Sequence, residues 1–201
     1  METPVKSQPL RERLRERPPS NSPQAPGGEA WTRALRDLPE DLPYKVETNA
    51  RGQLVLTRNK ICHSDFQGVL IRLLASEEGP AAGGHASPEY AVHTAEGVKV
   101  PDVIWISTER ARQIPSDAEA SPVVPEICIE VLADSNTEAE MEAKRGLFFE
   151  GGAEEVWIVG RGGELRFFDP AGERERSALA SDVSRAHRVK SGPLRRTQAA
   201  R

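Results

Sequence analysis

The chain has 201 residues, 29% of them charged and 37% hydrophobic, with a formal net charge of −4. That length suits one domain with flexible ends and can bury a core. No apolar run approaches the roughly 18 residues of a membrane span, and the polar, proline-rich first thirty residues lack the apolar stretch of a secretion signal. Cys62 and Cys128 lie in apolar-patterned segments and read as reduced thiols rather than a disulfide framework. Two cysteines and four scattered histidines give no zinc spacing, so the expectation is a cytoplasmic protein with no membrane association.

Charge is uneven. Residues 31–180 hold 16 Lys and Arg against 26 Asp and Glu, whereas residues 181–201 hold six basic groups against Asp182. An acidic body is a poor nonspecific binder of a polyanion. The basic end either holds nucleic acid near the domain or is simply solvated, because its spacing forms no amphipathic stripe.

In chain order, residues 1–30 are too rich in Pro, Ser, Gly and charge to order themselves. Trp31, Leu35 and Leu38 have helical spacing. Tyr44–Glu47 and Gln53–Thr57 read as a hairpin around Asn49–Gly52. A helix is expected from residue 59 or 60 to about Ala75, with Ile61, Phe66, Leu70, Leu73 and Leu74 inward, ended by the glycines of 79–84. Ser87–His93 and Val98–Ser107 then form a hairpin across Thr94–Gly97, and residues 108–122 connect, with a short helix at 108–113. Ile127–Leu132 is a central strand, apolar on both faces as a covered sheet requires. Thr137–Glu150 is a helix capped by Ser135 or Asn136 and stopped by Gly151-Gly152. Glu155–Val159 and Glu164–Phe168 close the sheet across the turn Gly160–Gly163, and the last 20 residues are expected to be dispensable for folding.

Two acids stand out. Asp102 lies in Val98-Lys-Val-Pro-Asp-Val-Ile-Trp-Ile-Ser107 and Glu130 in Pro125-Glu-Ile-Cys-Ile-Glu-Val-Leu132. A charge inside a β-branched run is costly without a cationic partner, and a divalent cation shared by neighbouring strands is one such partner. Lys144 follows on the helix after Glu130. From the residues alone a blander arrangement is the favoured one at this point: Asp102 as a strand-entry residue, Glu130 at a solvated strand end. Lys144 would then pair with Glu140 at i,i+4, worth about 0.3–0.5 kcal/mol.

The ordered set Pro101-Asp102-Val103, Glu130-Val131-Leu132, Ser135, Glu140, Lys144, Phe148, Gly151-Gly152 and Glu155-Val156-Trp157 resembles the Uma-two family, a branch of the PD-(D/E)XK nuclease superfamily. "YKVETNARGQLVLT" resembles the family's opening strand pair, with Glu47 at its acidic position and Gly52 at its turn. The resemblance spans about residues 31–180. It implies an α/β, restriction-endonuclease-like core: a mixed β-sheet flanked by helices in the order αβββαβ. That domain would follow a disordered segment, 1–30, and precede a flexible basic tail, 181–201.

The resemblance further implies a metal-dependent endonuclease that hydrolyses phosphodiester bonds in DNA, with a homodimer compatible with double-strand cutting. Asp102 and Glu130 would hold Mg²⁺ (or Mn²⁺), with the Val131 carbonyl as a backbone ligand. Lys144 would stabilise the transition-state charge. Glu47, Glu140 and His63 are secondary candidates, since family members carry acids at the first two positions and often a cleft-facing histidine near the third. The sequence departs from the superfamily at position 132, where its usual Glu-x-Lys lysine is Leu132, and Lys144 is nominated as the migrated group. That departure and the acidic body motivate the alternative, a catalytically weak or inactive member that binds nucleic acid or protein. Trp105 and Trp157 are expected in the core, and Gly160–Gly163 is a turn rather than a phosphate loop.

Overall fold

A computed structural model describes residues 27–39, 42–58, 61–75, 83–134 and 136–189, with the side chains of residues 58 and 61–63 left out. The elements run α1 (Gly28–Asp37), β1 (Tyr44–Thr48), β2 (Leu54–Arg58), α2 (Ile61–Leu74), β3 (Gly84–Pro88), β4 (Val92–Thr94) and β5 (Gly97–Lys99). They continue with β6 (Val103–Ser107), α3 (Thr108–Ala111), β7 (Ile127–Val131), α4 (Glu138–Glu150), β8 (Glu155–Val159), β9 (Leu165–Asp169) and β10 (Gly172–Arg174). The sequence expected in 1–26 and in 190–201, and the position of Ser135, lie outside the described residues.

Six strands form one mixed sheet in the order β10-β9-β8-β7-β6-β3. β7 and β8 run parallel, joined by α4 as the crossover, and the other neighbours are antiparallel. Helix α2, strands β3, β6 and β7, helix α4 and strand β8 realise the αβββαβ order. Period-two alternation sorts the side chains between two cores. Ile127, Ile129, Val131, Trp157 and Val159 face α2, where Phe66, Leu70 and Leu74 are buried; Cys128, Val156 and Ile158 face α4, with Met141 and Phe148. Trp105 and Trp157 are both buried.

Several boundaries differ from expectation. Helix α1 starts at Gly28, not after residue 30, and closes with the Leu38 amide on the Ala34 carbonyl. The hairpin expected over 87–107 is bent in two. Its outer halves pair as β3 with β6 in the main sheet, and its tip, β4 with β5, forms a separate two-stranded ribbon. Pro101 and Asp102 sit at the bend, where Pro101 has no N–H to give a ladder. Helix α4 is capped by Thr137, whose hydroxyl accepts from the Glu140 amide while the Glu140 carboxylate accepts from the Thr137 amide at 2.8 Å. Asn136 instead turns its side-chain oxygen back onto the Ala133 amide.

The flexible tail does not begin at 181. Ala180, Val183 and Val189 complete the α2-side core, so residues 181–189 bury apolar surface and belong to the domain. Buried Glu155 pins the start of this segment: its carboxylate accepts from Ser177 Oγ at 2.7 Å, from the Ala178 and Leu179 amides at 2.5 and 3.0 Å, and from Trp157 Nε1 at 2.7 Å. Gly160–Gly163 is the expected β8–β9 turn, with Gly163 at φ 78° and backbonded to Val189.

Candidate active site

The sheet register brings the two acids together. Val103 pairs with Ile129 across β6 and β7, so one further step sets Asp102 opposite Glu130. Like charges directly opposite one another are unfavourable, and here both side chains are about 95% buried. Glu130 shares its face with Cys128, two residues earlier, and therefore points toward α4. Lys144, on the second turn of α4, meets it: Nζ lies 2.8 Å from Glu130 Oε1 and 2.8 Å from Glu47 Oε1. Glu140 does not pair with Lys144 here; it is exposed and serves the helix cap. The i,i+4 pairing is thus replaced by a buried network between distant segments.

Glu47 comes from β1, and with it comes a residue that sequence reasoning missed. Lys45 precedes Glu47 by two positions and so projects from the same face of the strand. Its ammonium stands between the two acids, 2.6 Å from Asp102 Oδ1 and 3.5 Å from Glu130 Oε2. The available signal was that i,i+2 spacing in Lys45-Val46-Glu47, once Glu47 is taken to point inward. Strand β1 is tied down at its far end. The Val100 amide donates to Glu47 Oε1 at 2.7 Å, the Val98 amide to Thr48 Oγ1 at 2.8 Å, and Lys99 Nζ to the Thr48 carbonyl at 2.9 Å. Gly97, at φ 103°, lets β5 approach, since a Cβ there would meet Thr48 Oγ1 at 2.7 Å and its carbonyl oxygen at 2.8 Å.

Asp102 is fixed from three sides. Its Oδ2 accepts from the Val131 amide at 2.7 Å, and its own carbonyl accepts from the Glu89 amide at 3.1 Å and from Gln67 Nε2 of α2 at 3.2 Å. Val131 thus meets the site through its N–H. The side chain of His63 lies outside the described residues. Leu132, at the superfamily's lysine position, is half-buried against the α4-side core, so the cations of this site come from β1 and α4 instead. Lys45, Glu47, Asp102, Glu130 and Lys144 line a cleft of about 370 Å³, with Lys99, Glu96 and Glu140 also on its wall.

Burial and charge oppose each other in this cluster. Burial pushes the Glu130 carboxyl up, with Asp102 and Glu47 adding to it and both lysines opposing. Burial acts most strongly on Glu47 too, yet Lys144, Lys45 and the Val100 amide together hold its carboxyl below the ordinary value. Both ammonium groups are raised, because the surrounding carboxylates, Glu130 foremost, outweigh burial. Away from the cleft, burial also pushes the Cys128 thiol well up, which leaves it inert as a nucleophile.

Carboxylate oxygens are the donors that a hard divalent cation takes. One of them, Glu130 Oε1, is buried and meets Lys144 Nζ at 2.8 Å. The donor chemistry therefore fits a metal ion. The present side-chain placement is closed on the lysines: among the described residues no three His, Cys, Asp or Glu side chains stand together as a ligand set.

A mixed sheet with this helix order is a restriction-endonuclease-like fold. The model of the Uma2 family, described as "putative restriction endonuclease", matches residues 33–185, and the chain belongs to that family. Its fold is similar to the crystal structure of a putative nuclease belonging to DUF820 from Anabaena variabilis ATCC 29413, with a TM-score of 0.60 at 16% identity over 77% of this chain and 92% of that one. No curated protein matches the chain. Family and fold together support a nuclease. Among the described residues no helix is long and apolar enough to cross a membrane.

Proposed function

We propose that this protein is a metal-dependent endonuclease acting on DNA, with Asp102 and Glu130 holding Mg²⁺, or Mn²⁺ in its place. The observation that carries the reading is convergence. Asp102, Glu130, Lys144 and Glu47, drawn from four separate segments, meet in one cleft, and their ion pairs are 2.8 Å or shorter where Lys144 joins Glu130 and Glu47 and Lys45 joins Asp102. A fold that needed only stability would fill such a position with apolar side chains, because buried ion pairs add little net stability over them.

When bound, Mg²⁺ supplies an acidified water and a counter-charge for the phosphoryl oxygens. The chain's own groups do the rest. The Val131 amide holds Asp102 in orientation, leaving Oδ1 turned toward the cleft. The Val131 carbonyl is proposed as a backbone ligand. Lys144, steered by Glu47 and Glu130, presents a fixed ammonium to the charge that builds on the scissile phosphate, a preorganised electrostatic role. Glu47 positions that ammonium, and Glu140 acts through the helix cap that fixes the pitch of α4.

A second reading, an inactive member that binds nucleic acid or protein, is favoured by one observation: the carboxylates are already neutralised by lysines. Nicking of supercoiled plasmid with Mg²⁺ or Mn²⁺, beside Asp102→Ala and Glu130→Ala, separates the two. Metal-dependent cutting lost in both variants supports the nuclease. A folded protein that neither cuts nor binds Mn²⁺ supports the inactive module.

A further inference from the structure

Lys45 is the most enclosed cation of the cleft. Its side chain is 6% exposed, and it touches both proposed metal ligands at once. Lys144, in contrast, touches Glu130 and Glu47 but not Asp102. An ammonium 2.6 Å from one carboxylate and 3.5 Å from the next occupies the space that a shared cation must enter. Two neighbouring carboxylates in a desolvated site cannot remain uncompensated. A cation or a proton must therefore offset one of them whenever the site is folded, and in this structure the cation between them is Lys45.

We propose that Lys45 is an internal counter-ion that holds the cation position between Asp102 and Glu130, and that a divalent metal binds by displacing it. The inference rests on the reading of Asp102 and Glu130 as metal ligands, and it adds a device that sets how readily they load. The strand that carries Lys45 belongs to a two-stranded ribbon outside the six-stranded sheet, so withdrawing the ammonium breaks no ladder bond of that sheet. The cleft gives the freed side chain room to turn toward solvent and an incoming phosphate. Loading then exchanges one buried cation for another, and the site stays closed to metal until the ion competes successfully with a tethered lysine.

The test compares wild-type protein with Lys45→Met and Lys144→Met by Mn²⁺ titration, read as the loss of free-Mn²⁺ electron paramagnetic resonance signal, with thermal melting alongside. Lys45→Met keeps the stem and removes the competing charge. It should bind Mn²⁺ at least about tenfold more tightly than wild type, and more tightly than Lys144→Met, because only Lys45 fills the shared position. Its melting temperature should be lowered without metal and should recover on adding Mn²⁺ by more than wild type gains. Equal or weaker binding in Lys45→Met, or an equal gain in Lys144→Met, overturns the proposal while leaving the metal ligands standing. A Lys45→Met chain that stays unfolded with Mn²⁺ present also overturns it, since the ion then cannot replace the ammonium. Absence of Mn²⁺ binding in every protein overturns both this and the metal-site reading.

Discussion

Replacing Lys144 by Met tests whether the ammonium belongs to a buried network or to the surface of α4. On the surface, with Glu140 as its partner, its loss would change stability by about 0.3–0.5 kcal/mol. In the network it stands 2.8 Å from both Glu47 and Glu130, whose side chains are 10% and 6% exposed. Its removal leaves three carboxylates facing Lys45, with Lys99 farther along the cleft wall. Breaking a buried pair from one side costs about 3–5 kcal/mol, and partial opening of the cleft to water puts the expected value near the lower figure, about 3 kcal/mol. For a domain of this size that is a fall in melting temperature of about 6–12 °C. Equilibrium urea unfolding followed by tryptophan fluorescence reads the same loss. A double variant, Lys144→Met with Glu47→Gln, should recover at least about 1 kcal/mol of it, because residues in one network couple. A Lys144→Met protein within about 0.5 kcal/mol of wild type would refute the network.

Glu155→Ala should destabilise by about 3 kcal/mol or more, since four donors converge on one buried carboxylate. Faster proteolysis beyond residue 176 would show that the closing segment has lost its anchor. Glu47 has its carboxyl held below the unfolded value of 4.5, so its contribution is present above about pH 4.5 and is lost as pH falls through the folded value. Below pH 4.5 wild-type urea midpoints should therefore fall more steeply than those of Glu47→Gln; parallel curves would contradict the assignment. Gly97→Ala should cost about 1–3 kcal/mol through its positive φ and its contact with Thr48. Unchanged melting would show that the ribbon accommodates a methyl group.

Much of the site was legible in the sequence because its cost was legible. Asp102 and Glu130 are charges inside β-branched runs, and such charges need partners. Lys144 followed from the family pattern, and α4, β7 and β8 followed from periodicity and the Gly151-Gly152 stop. Lys45 was not legible for the opposite reason. A lysine in a five-residue hairpin strand looks like an ordinary solvated edge, and only the docking of β1 against β5 buries it. Residues 181–189 were misjudged because their apolar positions, Val183 and Val189, are isolated among polar neighbours. Their burial depends on the Glu155 clamp, a long-range contact that no local pattern announces. Glu140 does lie on the cleft wall, as the resemblance implied, but its carboxylate is engaged in the capping box with Thr137.

The pairing of β6 with β7 also determines where this chain tolerates changes of length. Asp102 and Glu130 stay abreast only while the register from Val103–Ile129 to Trp105–Ile127 is kept. One residue gained or lost inside either strand turns an acid onto the opposite face, among the side chains that pack on α2. Within the connection over 108–126 the exposed stretch 115–118 carries no such constraint, whereas Ala120 is buried and Ser121 is backbone-bonded to Ala91 and His93. Insertions in lineages of this fold should therefore accumulate between Pro115 and Ala118, where a longer or shorter excursion alters the protein's outline without altering its chemistry.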